Sequence, residues 1–493
     1  MAMYGILKAH TLLLLINKHK ELIMKKDDGS LPIPKDPGKQ TEEMFLQSYK
    51  KSFFSAVKWN TFESIAYQLI FVAHQVGLFT YCDSSLYGKA GVLFSFSYLI
   101  ITILIAGLDG GLLPFFKSFT AHKKSFSYLV RHYIKSQSIF IIASSLVGMA
   151  LLLMLSPFHS FDYRCIFLVG LFVIAEGIKK LLKHILYLAF YNRYTALLEV
   201  LQIALYVGTI WILHWTGVPF SLSLFFVPFI FLSLLSNACC VYLLFSYYQT
   251  LPSESNQLTL PPHVAFITTR ASVLINQLCR SFFTSNFLVP LFSFYGGFAQ
   301  AGILTFANYL THACTFFIHK VCVPPAEALL SRVKNFSLSS HYKAFQTVLL
   351  LFVSITTLLG ILLLLKGRSF ATLAGHPQVA HLSWALFFFF FFVHLLESMF
   401  ILYEKFFLLQ ERAGLLAVGN LLTCAVCFAF TWFSFSFFSV VLTCIFIRFL
   451  FFFFLSLIVA LSKPAPKGRF QGRFRRWPLL EVFYFDDENV EKL

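Results

Sequence analysis

The sequence predicts an all-α polytopic membrane protein of about 12 transmembrane helices. These form two six-helix lobes related by a pseudo-two-fold axis along the membrane normal. Three observations carry this: the composition, the run of apolar segments and an internal repeat. Of 493 residues, 58% are hydrophobic, 18% aromatic and only 12% charged. Mean hydropathy is +0.74. Soluble domains carry roughly 25% charged residues, so collagen-like, disordered and disulfide-scaffold classes are excluded. The formal net charge is +17, yet a chain with runs such as Phe387 to Phe392 cannot present a soluble nucleic-acid-binding face. The 63 Phe residues read as lipid-facing bulk or as codon bias.

A bilayer crossing needs about 20 mostly apolar residues. Such segments fall at 60–81, 89–109, 138–156, 165–187, 195–214, 221–246, 265–291, 299–322, 344–365, 381–402, 413–433 and 437–461. The first is the most polar, with Asn60, Glu63, Gln68, His74 and Gln75. The domain plan is therefore a partly disordered cytoplasmic tail (1–58), an N-terminal lobe (59–248), a cytoplasmic linker (249–263), a C-terminal lobe (264–461) and a basic, then acidic, cytoplasmic tail (462–493). In the first tail, Thr11 to Ile16 is too short to span. It is followed by Lys18, His19 and Lys20, not by small cleavage-site residues. Asp27 to Lys39 reads as a linker, and Met24 and Met44 are alternative starts.

Lys and Arg in the loops set the orientation. One side collects Lys117, Lys123, Lys124, Arg131, Lys135, Arg193, Arg332, Lys334, Lys343, Lys405 and Arg412, together with the basic tail. The other has only Lys89, Arg164, Lys366 and Arg368. Both termini are thereby expected in the cytoplasm, and no outer loop is long enough for a catalytic domain. No Gly-x4-Gly-Lys-Ser/Thr or His-Glu-x-x-His motif occurs, so ATP-driven transport by this chain alone and zinc-protease chemistry are not expected. Cys424 and Cys427 have a metal-like spacing inside a span, without a second pair. The ten cysteines read as small apolar fillers. No cofactor, metal or enzymatic activity is expected.

Lys89-Ala90-Gly91-Val92-Leu93 through Tyr98-Leu99 aligns with Gln300-Ala301-Gly302-Ile303-Leu304 through Tyr309-Leu310, an offset of 211 residues that also places Pro114 on Pro325. Both stretches open a span after a short outer loop and lead to a basic loop. Two halves of like orientation follow.

The chain resembles the multidrug/oligosaccharidyl-lipid/polysaccharide (MOP) flippase superfamily, closest to its O-antigen and polysaccharide branch. The carrying stretches are Leu86 to Gly91, Ala106-Gly107-Leu108-Asp109, and Gln300-Ala301-Gly302 through Asn308-Tyr309. The likeness covers about 53 to 461, and twelve spans fit better than the fourteen of the peptidoglycan-precursor branch. The resemblance implies alternating-access transport of a glycan linked through pyrophosphate to undecaprenol, across the bacterial inner membrane and beside glycan polymerase or ligase machinery. A MATE-like drug or cation exporter is the alternative, disfavoured by the basic residues of the fourth and seventh spans. A membrane glycan polymerase or ligase is a further alternative, which the short outer loops disfavour. A sugar permease lacks its Gly-rich basic signature here.

Intramembrane charge costs roughly 2.5–3.5 kcal/mol on insertion scales, so polar residues there mark cavities or packed interiors. At about 100° per residue, Glu176, Lys179, Lys180, Lys183 and His184 share an arc of one helix. Glu176 is poised to pair at i+3 or i+4, while Lys183 and His184 read as snorkelling at the cytoplasmic end. Arg270 and Arg280 share an arc with Asn276, Gln277, Ser281 and Thr284, with Arg270 at the mouth and Arg280 deep. Asn308, His312 and His319 line another helix. Asn60, Glu63, Tyr67, His74 and Gln75 line the first, and His394 stands three residues before Glu397. Candidate substrate-binding residues are Arg280, Arg270, Lys179, Lys180, Glu176, Asn276, Gln277, Asn308 and His312. Glu63, His74, Glu397 and His394 are coupling candidates by type. An isolated His in such a helix is more often a hydrogen-bonded packing residue. Under the resemblance, Arg and Lys would counter the pyrophosphate, amides and hydroxyls would hold sugars, and membrane lipid would receive the tail.

Overall fold

The computed structural model describes residues 39–105, 111–154, 162–253, 263–281, 284–291, 297–309 and 413–433, with residues 293, 311, 312, 358, 391, 393–395, 447 and 450. Two compact units divide at Ser52 and Phe53. In the first, the helical backbone is described from Lys39. All the packing below lies in the second. The predicted spans at 344–365, 381–402 and 437–461 otherwise lie outside the described residues, as do Asp109, His319, Glu397 and the C-terminal tail.

Eleven helices, as labelled here, organise the described residues. They are α1 (Lys39–Tyr81), α2 (Ser84–Ile105), α3 (Phe116–Phe119), α4 (Lys123–Tyr128), α5 (Lys135–Met154), α6 (Tyr163–Leu188), α7 (Asn192–Trp215), α8 (Leu222–Thr250), α9 (His263–Ser281) and α11 (Ala413–Phe433), with α10 the stretch 297–309 between the last two. A π-helical turn, Leu129–Ile134, joins α4 to α5. Asp162 caps α6 by accepting from the Arg164 amide, and Ser221 caps α8 by accepting from the Leu224 amide. Among the described residues, four helices are long and apolar enough to cross a membrane: α2, Lys123–Ala150, α7 and α8. The charges of α6 keep it out of that set, although it is the packing hub of this half.

α1 begins at Lys39, about twenty residues before the first predicted span, so helix runs through the end of the 1–58 tail, where Thr41 to Lys58 holds no Pro or Gly. One expectation is corrected. The predicted span 265–291 is interrupted. α9 ends at Ser281, Thr284 forms a bend, and helix resumes over 285–291. Ser281 and Thr284 turn their hydroxyls onto the carbonyls of Gln277 and Ser281, a competition that weakens helix continuity.

The core is aromatic. Phe94 of α2 stacks on Phe226 of α8 at 4.4 Å, and Phe172 of α6 meets both edge-on. Phe119, Phe126, Phe172, Phe225, Phe226, Phe266 and Phe306 are among the largest fully buried side chains. Part of the Phe excess is thus core, while Phe140, Phe167, Phe231 and Phe245 are exposed. Offset and edge-on rings add about 0.5–1.5 kcal/mol per pair beyond area burial.

The two repeated segments meet. A Cβ on Gly88 of α2 would overlap the backbone carbonyl of Phe298, and one on Gly302 of α10 would lie 2.8 Å from the Ser84 carbonyl. Phe79 stacks on Phe306 beside them at 4.4 Å. At the other end, Phe266 of α9 packs on Phe115, Phe119 and Tyr133. The halves are therefore in contact at both ends.

Candidate functional site

The site is built around α6. Its apolar face buries Leu181, Leu182 and Ile185, so the opposite face must also find partners. Those come from α1, α7 and α8. Lys179 Nζ pairs with Glu176 Oε1 at 2.8 Å and donates to Gln202 Oε1 of α7 at 3.0 Å. Glu176 Oε2 accepts from Ser233 Oγ of α8 at 2.9 Å, and Gln202 Nε2 donates to the same hydroxyl. Lys183 Nζ lies 3.1 Å from Glu63 Oε1 of α1 and 2.8 Å from Glu199 Oε1 of α7. Tyr187 donates its hydroxyl to Glu63 at 3.1 Å. Asn192 donates to Asn60 at 3.0 Å.

Glu176 pairs at i+3, as its spacing predicted. Lys180, in contrast, is half-buried with its ammonium 4.7 Å from the Tyr98 ring. The snorkelling reading of Lys183 is corrected: it is 6% exposed, because Glu63 and Glu199 face it across the helix packing. Sequence reasoning missed Glu199 and Gln202. The signal was present, since Thr195, Glu199, Gln202 and Tyr206 recur at i, i+4, i+7 and i+11 of α7. On α1, Gln75 accepts from Tyr87 at 2.8 Å, and His74 Nδ1 accepts from the Trp211 indole at 3.2 Å. His74 therefore carries its proton on Nε2 when neutral.

The C-terminal half is built differently. Arg280 is 8% exposed in the last turn of α9, where the helix dipole favours a cation. Asn276, one turn earlier, accepts from Asn420 of α11 at 3.0 Å, and Gln277 is buried beside it. His394 Nε2 is 2.8 Å from Asn308 Oδ1, and the His312 and His394 rings meet edge-on at 4.9 Å. Arg270 is partly buried. It donates to Gln137 Oε1 at 3.0 Å, and its Cγ occupies the space that a Cβ on Gly111 would need. Gln137 in turn donates to the Leu104 carbonyl, so Arg270 ties α9 to α5 and α2.

Several buried polar atoms have no hydrogen-bond partner: Ser64 Oγ and Gln68 Oε1 of α1, Asn276 Nδ2 of α9 and Thr305 Oγ1 of α10. They come from both halves, and each costs about 1–3 kcal/mol while unmet. The described cysteines are free thiols, and Cys424 donates to the Cys279 carbonyl between α11 and α9.

No protein-family model matches the sequence, and no curated protein matches it. Solved structures do match. A MOP superfamily transporter from Pyrococcus furiosus, described as having a binding pocket of reverse polarity, superposes with a TM-score of 0.62 at 14% identity, over 84% of this chain and 97% of that one. An outward-facing multidrug resistance MATE transporter of the MOP superfamily gives 0.59 at 14% identity, over 84% and 97%. The eukaryotic MATE transporter AtDTX14 gives 0.58 at 12% identity, over 85% and 97%. MATE proteins are 12-helix membrane transporters, and this chain shares their all-α, multi-helix fold.

Proposed function

We propose that this protein flips a polyprenyl-pyrophosphate-linked oligosaccharide across the bacterial inner membrane by alternating access, with both termini cytoplasmic. The observation that carries the reading is the set of buried, partnerless polar atoms on helices of both halves: Ser64, Gln68, Asn276 and Thr305. An apolar drug leaves such atoms unmet, whereas sugar hydroxyls and phosphate oxygens supply the missing donors and acceptors. Arg280, buried near Asn276, adds a cation whose planar donor fork suits phosphate. The exposed Leu, Ile and Phe of α5, α7 and α8 suit a bilayer in which the polyprenyl tail remains. The lobes rock about the site, opening it to one leaflet and then the other. The contacts of Gly88 with Gly302, and of Arg270 with Gln137, are those that must part in turn.

A second reading has its own observation. Glu63, Glu176 and Glu199 lie together in the N-terminal half, and carboxylates also suit a cationic drug exporter. In vivo depletion separates the two. The flippase reading expects undecaprenyl-linked glycan to accumulate in the inner leaflet with drug sensitivity unchanged. Normal surface glycan with heightened drug sensitivity would reverse the choice. Arg280→Ala is expected to abolish glycan export at an unchanged protein level.

A further inference from the structure

The entry into α5 is wound wide. In the π-helical turn Leu129–Ile134, the Lys135 amide closes the winding by donating to the Val130 carbonyl, five residues back. The turn absorbs one residue of phase. Buried positions run Phe126, Leu129, Ile134, Gln137, Ile141 and Ser145, at spacings of three or four except across the turn, where the spacing is five. An unbroken α-helix would set Leu129 and Ile134 about 140° apart; the π turn keeps both inside. The opposite face becomes continuous by the same device. Arg131, His132 and Lys135 are exposed at its head. Ile139, Ile142 and Leu146 are exposed along it below them.

The head of this stripe is held in place. The Lys123 amide donates to the Pro252 carbonyl at 3.0 Å, and Phe126 meets Tyr247 of α8 edge-on at 5.6 Å. The His132 ring lies 4.3 Å from that of Tyr128. Among the described residues, neither Arg131 nor Lys135 has an ion-pair partner. The carboxylates of the same unit are engaged elsewhere: Glu63, Glu176 and Glu199 in the buried cluster, Asp83 and Asp162 at the starts of α2 and α6. From Lys135 to Leu146 the helix rises about 16 Å, close to half of a hydrocarbon core of about 30 Å. The stripe thus has the depth of one leaflet, with cations at headgroup level and apolar side chains beneath.

We infer that this stripe is a binding seat for an anionic phospholipid, in the leaflet on the side to which the basic loops are assigned. Arg131 and Lys135, one turn apart, hold the lipid phosphate, and an acyl chain lies along Ile139, Ile142 and Leu146. Basic loops serve orientation wherever they stand. Here two unpaired cations crown a lipid-facing face of matching length, and that is what makes a seat. A free phosphate meets the cations but gains nothing from the stripe. The inference holds whichever substrate the transporter carries.

The test is native mass spectrometry of the detergent-purified full chain, titrated with dioleoylphosphatidylglycerol and separately with dioleoylphosphatidylcholine. The chains compared are wild type, Lys135→Gln, the double variant Arg131→Gln/Lys135→Gln, and Lys117→Gln/Arg164→Gln, which removes the same charge from exposed positions off the stripe. Wild type should retain phosphatidylglycerol in preference to phosphatidylcholine. The single change should weaken phosphatidylglycerol about fivefold and the double about thirtyfold, and the charge-matched control should bind as wild type does. Both changed side chains are exposed, where substitution alters stability little; if the double variant fails to fold, the single decides. Equal loss in the control would overturn the seat, because the attraction would then be general charge. So would equal retention of the two lipids by wild type. Displacement of phosphatidylglycerol by equimolar inorganic phosphate or farnesyl pyrophosphate would also overturn it, assigning the cations to a free anion or to a prenyl pyrophosphate instead.

Discussion

The N-terminal and C-terminal halves carry different buried chemistry. α6 and its neighbours hold charge against charge: Lys179 and Lys183 are matched by Glu63, Glu176 and Glu199. α9 and its neighbours hold amides, imidazoles and one deep arginine: Asn276 with Asn420, Asn308 with His394, and Arg280. The difference teaches that a basic count in a membrane helix is not a basic surface. Lys179 and Lys183 are held by internal carboxylates, so under the proposed function recognition of an anion falls first to the C-terminal half.

The comparison is broken most forcefully by removing a lysine. Lys183→Met leaves Glu63 buried with its counter-charge gone and Glu199 with Lys179 alone, at 3.5 Å, and breaking such a buried pair costs about 3–5 kcal/mol. Thermal unfolding in detergent should show this as the largest loss of any single change in the site. Next is the contact between the repeats. Gly88→Val has no rotamer that clears the Phe298 carbonyl, so α2 and α10 must separate. Cysteine cross-linking between these helices should fall, and transport with it. Smaller, and of opposite sign, is Ser64→Ala. Its hydroxyl is buried and unmet, so apolar replacement should raise stability by about 1 kcal/mol while glycan export declines. A structural serine would show a loss of both.

The smallest effect lies outside the helices. Burial, and then the neighbouring Asp83 carboxylate, push the Cys82 thiol up to about 11. Because the thiolate is the nucleophile, maleimide labelling of Cys82 should be slow at neutral pH. It should quicken about tenfold per pH unit as pH rises towards that value.

Much of the fold was legible because apolar length is a strong signal in a bilayer. The expected span 413–433 coincides with α11, and 165–187 lies within two residues of either end of α6. Boundaries failed where polarity is no guide. Lys39 to Lys58 looks like a tail because helix propensity outside the membrane leaves no hydropathy trace, and the break after Ser281 depends on hydroxyl geometry. In the site, the angular argument grouped the α6 residues correctly but gave only the near half of each contact. Glu176 with Lys179 is local and was foreseen. Lys183 with Glu63 and Glu199 joins residues 120 apart and three helices, and no spacing rule along one helix encodes it. The partner of Arg270 was not foreseen for the same reason, since Gln137 lies 133 residues away.

The central claim is that the polar path between the halves carries a lipid-linked glycan. The most direct measurement is flipping of fluorescently tagged undecaprenyl-pyrophosphate oligosaccharide in proteoliposomes, read by leaflet-specific quenching, for wild type and Arg280→Ala. The account predicts movement between leaflets with wild type, and none above protein-free vesicles with the variant. Absence of flipping by wild type in vesicles that actively expel a cationic dye would contradict it.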